Sequence, residues 1–153
     1  MKNKIIEEIQ KSKNRYNRLI LIVGPYNSGK TSLLRDIGRD LNNDVININL
    51  ELSRLLLNMS KKERMFNAQK VLNEIIENNS EEGGVVLLDN IEILFDVEVK
   101  IDPLKTLKDL ARHYFIVSTW SGRIENDFII YGQIGHREYR KNPANDLITF
   151  TMG

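Results

Sequence analysis

The sequence feature that most constrains the fold of this chain is a glycine-rich loop between a strand pattern and a helix pattern. Residues 24–31 read Gly-Pro-Tyr-Asn-Ser-Gly-Lys-Thr and match the pattern G-x-x-x-x-G-K-S/T. The aliphatic run Leu19–Val23, which is typical of a strand, leads directly into the loop. Aliphatic residues then recur at the spacing of one helix face, at Leu33, Leu34, Ile37 and Leu41. A strand, a glycine loop and a helix in this order predict a phosphate-binding loop, or P-loop.

The chemistry of this loop follows from its backbone and from the side chains at its end. Gly24 and Gly29 permit backbone angles and a close approach that a β-carbon would block. Loop amides and the positive end of the following helix would surround a phosphate group. We expect Lys30 to reach the β- and γ-phosphates and the Thr31 hydroxyl to bind Mg²⁺. The predicted nucleotide-binding residues are Gly24, Pro25, Tyr26, Asn27, Ser28, Gly29, Lys30, Thr31 and Ser32.

Length and composition narrow the classes of protein to which the chain can belong. With 153 residues and no cysteine, it has the size of one domain, 1–153, and excludes disulfides and thiolate metal sites. No apolar run approaches the roughly 20 residues that span a membrane, and the first residues lack the apolar core of a signal peptide. We therefore expect a cytoplasmic protein with no membrane partner. Lys and Arg number 22 against 21 Asp and Glu, so no overall charge favours nucleic-acid binding.

The first 18 residues are locally basic and form a predicted N-terminal helix. They contain six cations, Lys2, Lys4, Lys11, Lys13, Arg15 and Arg18, but only two acidic residues, Glu7 and Glu8. One interpretation is an amphipathic helix whose isoleucines pack on the core while its charges face water. The other is a surface that contacts DNA or an acidic partner.

Strand and helix patterns alternate through the middle of the chain. Strand patterns occupy Val45–Leu50, Val85–Leu88 and Tyr114–Thr119. Helix starts are marked by Ser60 with Glu63, a capping box, and by Asp102 followed by Pro103. This alternation predicts an α/β fold with three layers, a P-loop NTPase core whose mostly parallel central sheet has the order 5-1-4-3-2.

The C-terminal segment, 123–153, has a different pattern. Phe128–Tyr131 and Leu147–Thr151 are typical of strands, and Glu125–Asp127 and Lys141–Asn145 are typical of turns. No helix pattern occurs there. We therefore expect a β-rich C-terminal segment in place of a helical lid.

Asp89 and its neighbours provide the second part of the predicted site. Asp89 ends a buried aliphatic strand and resembles a Walker B acid, which holds a water molecule of the Mg²⁺ shell. ATPases of the additional-strand group often have glutamate next, but here the residue is Asn90, which cannot accept a proton from water. Glu92 could replace that glutamate if the chain turns sharply, or it could be a surface carboxylate. Hydrolysis by this chain alone is therefore expected to be slow.

Two further residues are catalytic candidates. Thr119 ends the strand after Asp89, where related ATPases carry a polar residue that senses the γ-phosphate. Arg123 lies downstream and could enter a neighbouring molecule's site as an arginine finger, although an ordinary surface arginine is the favoured explanation. The catalytic candidates are therefore Lys30, Asp89, Asn90, Glu92, Thr119 and Arg123.

Beyond these motifs the chain resembles the BrxF family, the small P-loop proteins of type 3 BREX phage-defence systems. The stretches that carry the resemblance are 21–31, 48–53, 86–95, 102–104, 120–123 and 135–140. The resemblance implies ATP binding, a bacterial cytoplasmic setting and work alongside other defence proteins against phage DNA. It carries over no mechanism residue by residue.

Three functions remain open from the residues. The first is an ATPase or nucleotide switch that binds ATP with Mg²⁺ and acts in a larger assembly, by self-association or with defence proteins. The second is a non-catalytic adaptor stabilised by nucleotide, which Asn90 favours. The third is a small-molecule P-loop kinase, although Lys30 and Asp89 are spaced as in the additional-strand ATPases. The absence of a guanine-specifying Asn-Lys-x-Asp motif favours ATP over GTP.

Overall fold

The computed structural model describes residues 1–153, in which helices and strands alternate as predicted. Five α-helices cover Lys2–Lys11 (α1), Lys30–Leu41 (α2), Ile48–Leu56 (α3), Lys61–Asn78 (α4) and Pro103–Leu110 (α5). Seven strands cover Leu19–Gly24 (β1), Val45–Asn47 (β2), Val85–Asp89 (β3), Phe115–Glu125 (β4), Phe128–Tyr131 (β5), Arg140–Pro143 (β6) and Ile148–Thr151 (β7). A short 3-10 helix at Ile91–Phe95 follows β3 after a single residue, Asn90.

The central sheet is parallel and has the order β2-β3-β4-β1-β7. Read from the other edge, this is the predicted order 5-1-4-3-2, with β7 in the fifth position. The α/β prediction is therefore confirmed. The strand that follows β4 in the chain, β5, instead pairs antiparallel with the far half of β4, and β6 pairs antiparallel with β5. The C-terminal segment is β-rich, as expected.

Two hydrophobic clusters cover the two faces of the sheet. Alternate residues of β1 point to opposite faces, so Leu21 joins one cluster and Ile22 the other. The smaller cluster includes Ile5 and Ile9 of α1, which are fully buried beside α2. The larger cluster lies under α3, α4, α5 and the 3-10 helix. Three layers result, and the amphipathic packing expected of the N-terminal helix is present.

Local predictions of helix starts agree with the structure. Ser60 and Glu63 form the reciprocal capping box at the start of α4, with distances of 3.2 and 3.0 Å. Asp102 accepts a hydrogen bond from the Lys105 amide at the start of α5. None of the five α-helices combines the length and the apolar character that crossing a membrane requires.

Several element boundaries differ from the sequence-based expectation. The N-terminal helix predicted over residues 1–18 ends at Lys11. The predicted strand Val45–Leu50 ends at Asn47, because the Asn47 side chain accepts a hydrogen bond from the Leu50 amide and thereby starts α3. β4 continues past Thr119 to Glu125, where it turns into β5. The predicted turn Lys141–Asn145 instead begins with β6, an edge strand on which Pro143 needs no amide donor.

Candidate functional site

The P-loop joins the carboxyl end of β1 to the first turn of α2. A β-carbon at Gly24 would lie 2.6 Å from Ser28 Oγ and 2.8 Å from the carbonyl oxygen of Met152, so only glycine fits between the loop and the end of β7. Gly29 has a φ of +94° and is the residue before α2. The loop amides and the positive end of α2 therefore face the same space, which suits an anion.

Lys30 is the first residue of α2, and its side chain bends back across the loop. Nζ donates hydrogen bonds to the Pro25 carbonyl at 2.7 Å and to Ser28 Oγ at 3.4 Å. Burial lowers the pKa of Lys30, and the charges of Glu92 and Asp89 partly offset that lowering. The ammonium group is thus poorly solvated and has no carboxylate in direct contact, so an entering phosphate would supply a missing counter-charge.

Asp89 and Thr119 face each other at the carboxyl ends of β3 and β4. These strands are paired, with Leu88 opposite Ser118, so the next residues of the two strands come together. Thr119 Oγ1 donates a hydrogen bond of 2.8 Å to Asp89 Oδ1. Both residues are buried, with exposed fractions of 4% for Asp89 and 3% for Thr119. The hydroxyl therefore fixes the orientation of the carboxylate.

The chain turns sharply after Asp89, which is the condition under which Glu92 could reach the site. Asn90 has φ and ψ of 52° and 56°, a left-handed conformation that asparagine tolerates, and its carbonyl accepts a hydrogen bond from the Asn49 amide at 2.9 Å. The 3-10 helix that follows brings Glu92 to the cavity, where its Oε1 accepts a hydrogen bond of 2.8 Å from Ser121 Oγ. Sequence analysis missed Ser121. A signal was present in the sequence: Ser121 lies two positions after Thr119, and side chains with that spacing on a strand point to the same side.

These residues line one cavity of about 340 Å³. Its walls are residues 26–32 of the loop together with Asp89, Asn90, Glu92, Thr119 and Ser121. Of the other predicted residues, Gly24 ends β1 and does not line this cavity. Pro25 and Arg123 instead line a second cavity of about 920 Å³, which also borders Glu92 and Ser121. The structure thus brings most of the predicted residues together at the carboxyl edge of the sheet.

Arg123 belongs to the β4–β5 hairpin. Its Nε donates a hydrogen bond to Glu125 at 2.8 Å, and a terminal nitrogen donates one to the Gly132 carbonyl at 3.1 Å. The guanidinium group is thus bound within its own hairpin. To act as an arginine finger in another molecule, Arg123 would have to break these bonds.

The oxygen ligands at the loop fit Mg²⁺. Thr31 offers a hydroxyl and Asp89 a carboxylate, and both line the same cavity. The chain has no group of three or more His, Cys, Asp or Glu side chains that could hold a metal ion by themselves. Mg²⁺ in nucleotide sites is bound through one or two protein ligands together with substrate phosphates and water, so this small ligand set matches its chemistry.

Comparisons with known proteins concern the family and the fold of this chain. The sequence model of a family described as "AAA domain" matches residues 16–126. Among solved structures, C. elegans PCH-2 is similar to this chain with a TM-score of 0.50 and 18% sequence identity. The similarity covers 98% of this chain but 41% of the PCH-2 chain, so this chain spans about two fifths of that protein. No curated protein matches the sequence. Because the matched region, which includes the P-loop and Asp89, exceeds half of the chain, this protein belongs to the AAA domain family.

Proposed function

We propose that this protein binds ATP with Mg²⁺ and acts as a slow or partner-stimulated ATPase or nucleotide switch. The observation that carries the proposal is the convergence of Lys30, Thr31, Asp89 and Thr119 on one cavity beside the P-loop amides. A poorly solvated ammonium group and a buried carboxylate across one cavity provide opposite charges for a phosphate and a metal ion.

Each residue has a specific part in this function. The loop amides and Lys30 bind the phosphates and neutralise their charge. Thr31 would bind Mg²⁺ and Asp89 would hold a water molecule of its shell, and the bound ion would neutralise charge on the phosphate oxygens. Thr119 orients Asp89 through the 2.8 Å hydrogen bond. Its proposed second part is to sense the γ-phosphate.

Calorimetric titration with Mg-ATP tests the binding proposal. Lys30→Met keeps the length of the side chain but removes its charge, and a hydrogen bond to a charged group contributes about 1.5–3 kcal/mol. We therefore expect Kd to rise by about 10- to 150-fold. Lys105→Met on α5, which replaces an exposed lysine that lines neither of the two cavities, is the matched control and should bind as the wild type does. Equal binding by the wild type and Lys30→Met would refute the proposal.

Asn90 favours a second candidate, a nucleotide-stabilised adaptor without catalysis. Asn90 follows Asp89 in the sequence, at the position where related ATPases often have glutamate. The two candidates differ in phosphate release with cognate partners and DNA present. Phosphate release that Lys30→Met abolishes supports the ATPase, whereas tight binding without turnover supports the adaptor. A phosphorylated small molecule as product would instead identify a kinase.

We also propose that the protein works in a BREX-type anti-phage assembly in bacteria, with other defence proteins or with further copies of itself. The resemblance to the BrxF family supports this role. Phage plating on cells that carry the complete defence system is the test. Lys30→Met should raise plating efficiency towards that of undefended cells, and Lys105→Met should not. Full protection by the Lys30→Met variant would contradict the proposal.

DNA contact through the basic N-terminal segment is a further part of this proposal. Lys11, Lys13 and Arg15 are exposed and form no ion pair with a carboxylate, although Lys2 pairs with Asp40 at 3.0 Å. Replacing these three residues by glutamine should weaken DNA binding. It should also make the slope of log K against log salt concentration less steep, by about 0.7–0.9 for each lost phosphate contact. Glutamine at Lys61, Lys62 and Lys70, which are exposed on α4, is the control. Equal salt dependence in both variants would exclude this surface.

A further inference from the structure

We propose that Glu92, positioned by Ser121, orients the attacking water molecule and accepts its proton during ATP hydrolysis. The inference rests on the proposed ATPase function and deepens it. It assigns to Glu92 the role of proton acceptor, for which Asn90, the residue next to Asp89, is chemically unsuited. It also identifies Ser121 as a positioning residue.

The geometry of β4 supports this assignment. Side chains two positions apart on a strand point to the same side, so the hydroxyls of Thr119 and Ser121 emerge together. Thr119 Oγ1 donates to Asp89 at 2.8 Å, and Ser121 Oγ donates to Glu92 at 2.8 Å. Two hydroxyls on the same side of β4 therefore hold the two carboxylates through hydrogen bonds of equal length.

The 3-10 helix fixes the backbone that carries Glu92. Ile91, Leu94 and Phe95 of this helix are buried, with exposed fractions of at most 1%. The Phe95 ring stacks on Tyr131 at 3.6 Å and meets Trp120 of β4 edge-on at 5.1 Å. Glu92 is thus presented by an anchored turn that packs against the same strand as Ser121.

The two carboxylates have different environments, which indicates different tasks. Asp89 is buried and hydrogen-bonded to Thr119, which suits a fixed carboxylate that holds the water shell of Mg²⁺. Glu92 is only partly buried and lines both the 340 Å³ and the 920 Å³ cavity. The Ser121 bond uses Oε1 and leaves Oε2 free to accept a hydrogen bond from water. Solvent can also reach Glu92 through the larger cavity.

Asn90 cannot perform the same task. Its side-chain amide has no basic site that could take a proton from water. Its backbone is held in the left-handed conformation by the hydrogen bond between its carbonyl and the Asn49 amide.

The reaction step balances with these residues. The water oxygen forms a bond to the γ-phosphorus while the bond from that phosphorus to the β–γ bridging oxygen breaks. ADP leaves with the electron pair of the broken bond. Glu92 takes the proton that the water molecule loses and later releases it to solvent through the larger cavity. The products are ADP, phosphate and one proton.

Four variants test the assignment by binding as well as by turnover. Glu92→Gln removes the base, and Glu98→Gln, at an exposed glutamate paired with Lys61, is its matched control. Ser121→Ala removes the positioning hydroxyl, and Ser121→Thr restores it. Titrations measure the Kd of Mg-ATP and of Mg-ADP-aluminium fluoride, which imitates the transferring phosphoryl group with its attacking water. Phosphate release is measured with any partner that stimulates it.

We expect Glu92→Gln to bind Mg-ATP with a Kd within about threefold of wild type and to release phosphate about 10²- to 10⁴-fold more slowly. Its affinity for the aluminium fluoride complex should fall about tenfold or more. Ser121→Ala should show the same pattern more weakly, with recovery in Ser121→Thr. The proposal is overturned if Glu92→Gln matches Glu98→Gln in phosphate release, or binds the aluminium fluoride complex as tightly as wild type. Failure of the wild type to bind Mg-ATP would instead overturn the proposed function.

Discussion

The hydrogen bond from Thr119 to Asp89 allows a quantitative prediction of stability. Thr119→Val replaces the hydroxyl by a methyl group of nearly the same size, so the β4 backbone and its packing should be preserved. The change leaves the buried Asp89 carboxylate without the donor that now lies 2.8 Å away. Because both side chains are at least 96% buried, water cannot readily take the place of that donor.

The expected cost follows from the charge of the acceptor. A hydrogen bond to a charged group contributes about 1.5–3 kcal/mol to the free energy of unfolding. In a domain of this size each kcal/mol lowers Tm by about 2–4 °C, so Thr119→Val should lower Tm by about 3–12 °C. The nearest comparison is Thr106 of α5, which is equally buried and donates to the neutral amide oxygen of Gln69 at 3.1 Å. Thr106→Val should cost only about 0.5–1.5 kcal/mol.

Urea denaturation without nucleotide, followed by circular dichroism, provides the assay. A double-mutant cycle with Asp89→Asn isolates the pair, since Thr119→Val should cost less once the carboxylate charge is gone. The reasoning is refuted if Thr119→Val costs no more than Thr106→Val. It is also refuted if the losses from Thr119→Val and Asp89→Asn simply add.

Three further predictions concern the hairpin, alkaline stability and the P-loop lysine. Gly122→Ala would place a β-carbon 2.0 Å from the Ile130 carbonyl oxygen, so denaturation should show a loss of at least about 1–3 kcal/mol. Burial, assisted by nearby negative charge, raises the pKa of Tyr131 to about 12. The neutral form of Tyr131 therefore stabilises the fold fully below about pH 10, and this contribution is lost as the pH rises towards 12. In urea denaturation, the free energy of unfolding of Tyr131→Phe should not show that part of the decline with pH. Because burial lowers the pKa of Lys30, its charge is unfavourable in the free protein. Lys30→Met should therefore match or exceed the wild-type Tm without nucleotide, and at the same Mg-ATP concentration its Tm should rise less than that of the wild type.

Much of the fold could be predicted because its signals are local. The P-loop is defined by eight consecutive residues and their flanking patterns, and the Ser60 capping box and Asp102 cap lie within three residues of their partners. The run Val85–Leu88 is aliphatic because a central parallel strand is buried on both faces. Local backbone chemistry determines such features, so they can be recognised without knowing which elements meet.

Contacts between distant residues could not be obtained in this way. The sequence left open whether Glu92 is a surface carboxylate, and that depends on the left-handed turn at Asn90 and on a hydroxyl 29 positions away. Nor did any pattern show that β7, and not β5, pairs with β1, since both are short strands of four residues. The sequence by itself determined a P-loop α/β domain with Lys30, Thr31 and Asp89 at one edge of its sheet. Only the tertiary structure decided where Glu92 and Ser121 lie, because strand pairing and packing bring together residues whose local patterns carry no information about each other.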